Sequence, residues 1–250
     1  MITPMVLEIC ASNYQSAINA QTAGAHRIEL CTELAVGGLT PSYGLLHQVL
    51  KKLTIPVFVL IRPRSGNFTY SEAEFEIIKN DIQLCKDLGY SVPIAIGIVS
   101  GVLNGDNTIG IERTKQLIEL SRPLPFTFHR AFDWTPDPFE ALEQLIDLGA
   151  ERILTSGQET SAEKGIELLK QLKDKAKNRI TILPGGGINP QNAKVFRDFG
   201  FTELHASATS LNPVNEPPTL SMNSPQFFDE TIEVVSDVDK IKGILSSFGF

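Results

Sequence analysis

Pro125-Phe126-Thr127-Phe128-His129-Arg130-Ala131-Phe132-Asp133 begins as an apolar and β-branched run and then turns abruptly into His, Arg and Asp. Its first half reads as a buried strand. Its second half cannot stay buried unless those side chains meet partners or a ligand at the strand's C-terminal end. Several other stretches follow the same plan, apolar and then polar at the exit. If they lie parallel in one sheet, their polar exits converge on one face.

Working outward from this stretch, strands are expected over 6–10, 27–31, 56–61, 93–99, 152–157, 179–183 and 202–207. Helical spacing fills the intervals, over 14–23, 43–52, 72–88, 111–120, 138–148, 162–177, 192–199 and 237–248. The punctuation is chemical. Ser42 and Ser71 stand where N-caps belong, Glu74 completes a capping box with Ser71, and Gly24, Gly89, Gly149 and Gly200 stop helices. Strict alternation of strand and helix forces parallel strands and right-handed crossovers. Eight such units in 250 residues predict an α/β fold, a single-domain (β/α)8 TIM barrel over residues 1–250, with an open doubly wound sheet as the alternative. The segment 212–230, rich in proline and asparagine, is expected to be a long irregular eighth loop before the last helix.

Composition narrows the function. A formal charge of −7 argues against a nucleic-acid partner. No apolar run approaches the ~20 residues of a membrane span, and Met1-Ile2-Thr3-Pro4-Met5 lacks the features of a signal peptide. The odd count of three cysteines fits reduced thiols and a cytoplasmic location.

In a barrel the outward face of each strand packs on helices, so polar strand residues point inward or sit at the rim. Alternation places Glu8 and Cys10, Glu29 and Cys31, Arg62, His129, and then Glu203, His205 and Ser207 inward. Arg130 and Asp133 lie at the exit of the fifth strand. Any one of these could belong to a structural ion pair. As a set they mark a site: Glu8, Glu29, His129 and Asp133 as acid–base candidates, and Arg62, Arg130, Ser156, Gly186, Gly187, His205 and Ser207 as ligand contacts. Pro184-Gly185-Gly186-Gly187-Ile188-Asn189 follows the seventh strand, where barrels often hold phosphate on backbone N–H groups. It is not the dinucleotide fingerprint, since Pro190 stands where the third glycine belongs; an ordinary short turn is the alternative. Cys10 and Cys31 each leave a neighbouring strand two positions after an inward Glu. Two such thiols suit Cu(I) as metal ligands, or are simply packed. Cys85, His26 and His47 read as packing or surface residues.

These motifs resemble the copper homeostasis protein CutC family. The likeness is carried by Leu7-Glu8-Ile9-Cys10, Arg27-Ile28-Glu29-Leu30-Cys31, Gly37-Gly38-Leu39-Thr40-Pro41-Ser42 and Ile61-Arg62-Pro63-Arg64. It continues through Phe68-Thr69-Tyr70-Ser71, Thr127-Phe128-His129-Arg130-Ala131-Phe132-Asp133, Leu154-Thr155-Ser156-Gly157, Pro184-Gly185-Gly186-Gly187-Ile188 and His205-Ala206-Ser207, in order from about residue 5 to about residue 210. The resemblance implies a cytoplasmic barrel, a homodimer or higher homo-oligomer, associated with copper tolerance and binding Cu(I) through the family cysteines, here Cys10 and Cys31. The tail departs from the family, whose members carry basic residues there; 212–230 has no Lys or Arg, and only Ser221-Met222 resembles the usual pattern. Three readings follow: a copper-handling protein, a barrel enzyme acting on a small phosphorylated or carboxylated molecule, or a barrel that senses such a small anionic ligand.

Overall fold

The computed structural model describes residues 5–214, 216, 219, 220 and 229–248. The eight parallel strands are β1 Val6–Ala11, β2 Arg27–Leu30, β3 Val57–Leu60, β4 Ile96–Ser100, β5 Phe126–Phe128, β6 Arg152–Thr155, β7 Thr181–Pro184 and β8 Glu203–Ala206. Each pairs with the next, β1 pairs with β8, and a parallel bridge from Gly185 to His205 completes the circle. The outer ring is α1 Tyr14–Ala23, α2 Tyr43–Lys52, α3 Glu72–Gly89, α4 Ile111–Ser121, α5 Pro138–Leu148, α6 Ile166–Ala176, α7 Ala193–Asp198 and α8 Val238–Ser246. Outward strand residues such as Leu7, Ile9, Ile28 and Leu30 are wholly buried against those helices. That burial is the main source of stability and leaves the inward face free for polar residues. Among the described residues no helix is long and apolar enough to cross a membrane.

The caps act as expected except at Gly89, which lies inside α3 while Tyr90, at φ of −70°, caps the helix. The Ser71 side chain accepts from Glu74 N while the Glu74 carboxylate accepts from Ser71 N, and Gly24 and Gly149 end their helices with φ of 94° and 84°. Asp137 caps α5, with Pro138 in the first turn.

Three elements differ from expectation. Helix α6 begins at Ile166 rather than 162, because Gly165 crosses the backbone at Ser156–Gly157; a Cβ on Gly165 would lie 2.0 Å from Ser156 O. The exit of β5 is a 3-10 turn, Arg130–Trp134, started by His129 Nδ1 accepting from Ala131 N. The stretch after β8 is not simply irregular. Thr209–Pro213 (β9) and Ile232–Ser236 (β10) form an antiparallel ribbon. The ribbon is fastened to α1 by Asn13 donating to Val234 O, Asn19 donating to Ser236 O, and Ser236 N donating to Ser16 Oγ. Pro213 and Asn212 disguise β9 in the sequence. A two-stranded ribbon is marginal alone and exists here because α1 supplies partners. Ser221-Met222 lies outside the described residues.

Candidate functional site

The barrel interior is charged from its first layer. Parallel register sets Glu8 beside Arg27 on one side and His205 on the other. Arg27 donates to Glu8 at 2.5 Å and to Glu203 at 2.6 Å, and Arg152 reaches Glu203 at 3.0 Å. Both guanidiniums pack on the Phe58 ring, with Cζ of Arg27 4.5 Å and Cζ of Arg152 5.2 Å from its centroid. Two carboxylates and two guanidiniums therefore close on each other around one ring. Burial opposes ionisation of Glu8, but Arg27 and then His205 outweigh it and hold its carboxyl down at about 2.

Above this layer lie Cys10, Cys31, Glu29 and His205. The two sulfurs are 3.6 Å apart, and Cys10 Sγ is 3.6 Å from Glu29 Oε1. His205 Nδ1 bonds Glu8 Oε1 at 2.8 Å, which orients the ring and leaves Nε2 for the centre. Donor atoms of Cys10, Glu29 and His205 all lie within 4.8 Å of one another, and Glu29 Oε2 is buried with no partner. Burial, then the neighbouring Glu8, pushes Glu29 up to about 7, with His205 pulling the other way. Burial disfavours a charged His205, but Glu29, Cys10 and Glu8 prevail and keep it protonated well above the ordinary histidine range. The adjoining Cys31 thiol, burial and Glu29 push the Cys10 thiol well up.

Cys10, Glu29 and His205 form the floor of a cavity of about 410 Å³ that opens at the C-terminal ends of the strands. Arg62, His129, Arg130, Gly186, Gly187 and Ser207 line it too, so the strand exits named from the sequence meet at one cavity. Cys31 sits directly behind Cys10, wholly buried.

Four assignments need correction. Glu8 is not available for acid–base work: it is 1% exposed and closed between Arg27 and His205, so it acts by holding His205. Asp133 is not a free base. Its carboxylate accepts from Arg130 Nε, Thr155 Oγ1, Ser156 N and Gln158 N, and braces the rim. Ser156 is wholly buried outside the cavity wall, where its Oγ accepts from Arg130 Nη2 at 2.7 Å. Arg62 faces the cavity, but Nη1 donates to Val36 O and Gly38 O and Nη2 to Gly66 O, so it ties loops rather than clamping an anion with those groups.

Sequence reading missed Arg27, Arg152, Phe68 and Trp134. Arg27 shares the inward parity of Glu29 and Cys31, which was a usable signal, but it opens its strand and so reads as a solvent end. Phe68 and Trp134 come from loops, which carry no periodicity.

The CutC family model matches residues 5–210, the span that contains every one of these groups. The chain belongs to the CutC family. It is 45% identical over 241 residues to the mouse copper homeostasis protein cutC homolog, covering 95% of this chain and 87% of that protein. A CutC family protein of Photorhabdus laumondii is 43% identical over 246 residues, covering 96% and 97%. The crystal structure of CutC from Streptococcus agalactiae superimposes with a TM-score of 0.74 at 36% identity, covering 81% of this chain and 98% of that one. An aldolase matches at TM-score 0.58 and 13% identity, which speaks to the barrel alone.

In this CutC-family barrel the buried carboxyls set an unusual pH profile. Glu29 has its folded value raised from 4.5 to about 7, so between those values the native state holds a proton that the unfolded chain has lost. Stability therefore falls as pH rises through that window, by on the order of 3 kcal/mol. Glu8, lowered to about 2, has the opposite sense: its contribution is complete above 4.5 and is lost as pH falls towards 2. His205, raised, adds stability below 6.5 that is lost as pH climbs through its folded value. Thermal melts of the metal-free protein should show the Glu29→Gln variant gaining on wild type by about 6–12 °C between pH 4.5 and 7. A difference between the two that does not change with pH would show that Glu29 titrates normally.

Proposed function

We propose that this CutC-family chain takes up Cu(I) at the cavity floor in the service of copper homeostasis, as the names of its mouse and human relatives state for those proteins. Cys10 and Cys31 supply the thiolates, with His205 Nε2 and Glu29 Oε2 as further donors. The observation that carries this reading is a pair of buried, unbridged sulfurs 3.6 Å apart, close enough to share one ion. Soft thiolates select a soft ion, and the Glu8 carboxylate behind His205 is the outer partner that metal-ligating histidines use. Glu29 Oε2, buried and unpartnered, fits a group completed by a cation. Because His205 and the Cys10 thiol hold their protons firmly, uptake of the ion releases protons and strengthens as pH rises. The odd count of three cysteines suits a reducing compartment, so we place the protein in the cytoplasm. We also take it to work as a homo-oligomer; sedimentation velocity tests that directly.

Anaerobic titration with Cu(I) against a chromophoric chelator tests the site. One equivalent should bind, and either Cys10→Ser or Cys31→Ser should weaken it by at least about 100-fold, since even outer partners of metal ligands matter by 10–100-fold. Undiminished affinity in both variants would reject the site.

A further inference from the structure

The cavity is much larger than an ion needs, and its upper part is built differently from its floor. His129 is 4% exposed, its Nδ1 accepts from Ala131 N, and its Nε2 is buried without a partner. With Nδ1 as the acceptor, Nε2 carries the proton of the neutral ring, so a residue of the cavity lining holds a buried donor with nothing to donate to. Arg130 uses Nε on Asp133 and Nη2 on Ser156, while Nη1 has no acceptor among the described residues. The N–H groups of Gly186 and Gly187 likewise donate to no acceptor among the described residues. Gly186 stands against the Arg130 guanidinium: with φ of 104° it has no side chain, and an added Cβ would lie 3.6 Å from Arg130 Cζ. Acceptors are the scarce species here. Asp133 is fully occupied, and Glu29 lies at the floor. Beside these donors Phe68 and Trp134 meet edge to face, ring centroids 4.9 Å apart, with Trp134 49% exposed at the rim.

We propose that this upper cavity binds a small organic anion, its terminal carboxylate or phosphoryl group held by Arg130, His129 and the Gly186–Gly187 turn, its apolar body against Phe68 and Trp134. A donor-rich wall with an unpaired buried N–H favours an acceptor-only group. The whole cavity, floor included, holds about 410 Å³, room for a small molecule above the floor, and the aromatic pair gives its uncharged part a place. The site is independent of the Cu(I) reading, because none of its groups is a proposed metal ligand.

Trp134 is the chain's single tryptophan and lines the cavity, so it reports on occupancy. Metal-free protein would be titrated with phenyl phosphate, inorganic phosphate and benzyl alcohol, following Trp134 emission and heat release together. Saturable binding of phenyl phosphate is expected, weaker for inorganic phosphate and absent for benzyl alcohol. Arg130→Gln should weaken it by about tenfold or more. Its melting temperature should fall by no more than about 4 °C, because Arg130 is half-exposed and Asp133 keeps its Thr155, Ser156 and Gln158 donors. His129→Asn, which preserves the cap on Ala131 N, should also weaken it. Cys10→Ser should bind phenyl phosphate as wild type does while failing with Cu(I), which separates the two sites. No saturable signal by either readout, an equal response to benzyl alcohol, or full affinity in Arg130→Gln would overturn the proposal.

Discussion

Replacing Arg27 by methionine is expected to cost about 3–5 kcal/mol of stability, a drop of roughly 6–20 °C in melting temperature. Arg27 is 5% exposed and bridges Glu8 on β1 to Glu203 on β8. Its loss leaves Glu203 with Arg152 but leaves Glu8, 1% exposed, facing only His205. A carboxylate stranded in the barrel interior with a single counter-charge, the His205 imidazolium, is what makes the change severe; the intact ion pair is a weaker source of stability than its removal suggests. The double variant Arg27→Met/Glu8→Gln should therefore recover part of the loss, because it removes the stranded charge. Paired thermal melts decide this. A single variant that melts within 2 °C of wild type, or a double variant lower than the single, would show that Arg27 is not the counter-charge described.

The second large effect concerns Arg62. Its guanidinium donates to Val36 O at 2.9 Å, Gly38 O at 3.2 Å and Gly66 O at 2.8 Å, and lies 4.9 Å from the Phe68 ring. It thus fastens the loop after β2 to the loop after β3, at the cavity mouth. Arg62→Ala should cost about 3 kcal/mol, since hydrogen bonds to a charged group contribute about 1.5–3 kcal/mol each and the released carbonyls regain some water. Arg62→Lys should rescue little, because an ammonium cannot fork to three separated carbonyls. Amide exchange at Gly37 and Gly38 should accelerate in both variants. If Arg62→Ala instead leaves stability and exchange unchanged while phenyl phosphate binding disappears, Arg62 is a ligand clamp after all and the loop-tie account fails.

Both predictions rest on pairings that only the folded barrel creates. What the sequence determined by itself is local and periodic: the helix caps at Ser42 and Ser71, the stop at Gly149, and the inward parity that puts Cys10, Glu29 and His205 on one face. These depend on residues a few positions apart, so the chain carries them openly. Parity also brought Cys10 and Cys31 to neighbouring strands, and the exits of β3, β5 and β7 to one cavity. Tertiary structure alone decided which charge answers which. Glu8 and His205 are 197 residues apart and meet because β8 closes on β1. Arg27 and Arg152 come from different strands yet share Phe58 and Glu203 inside the ring. Periodicity assigns a side chain to a face, but depth along the barrel axis is set by strand stagger around the closed sheet. Arg62 shows the same limit: its inward direction was legible, whereas the three carbonyls that occupy it belong to loops whose conformation no repeat encodes. Likewise β9 and β10 became strands only because α1 offers their backbone and side chains the partners that local sequence could not reveal.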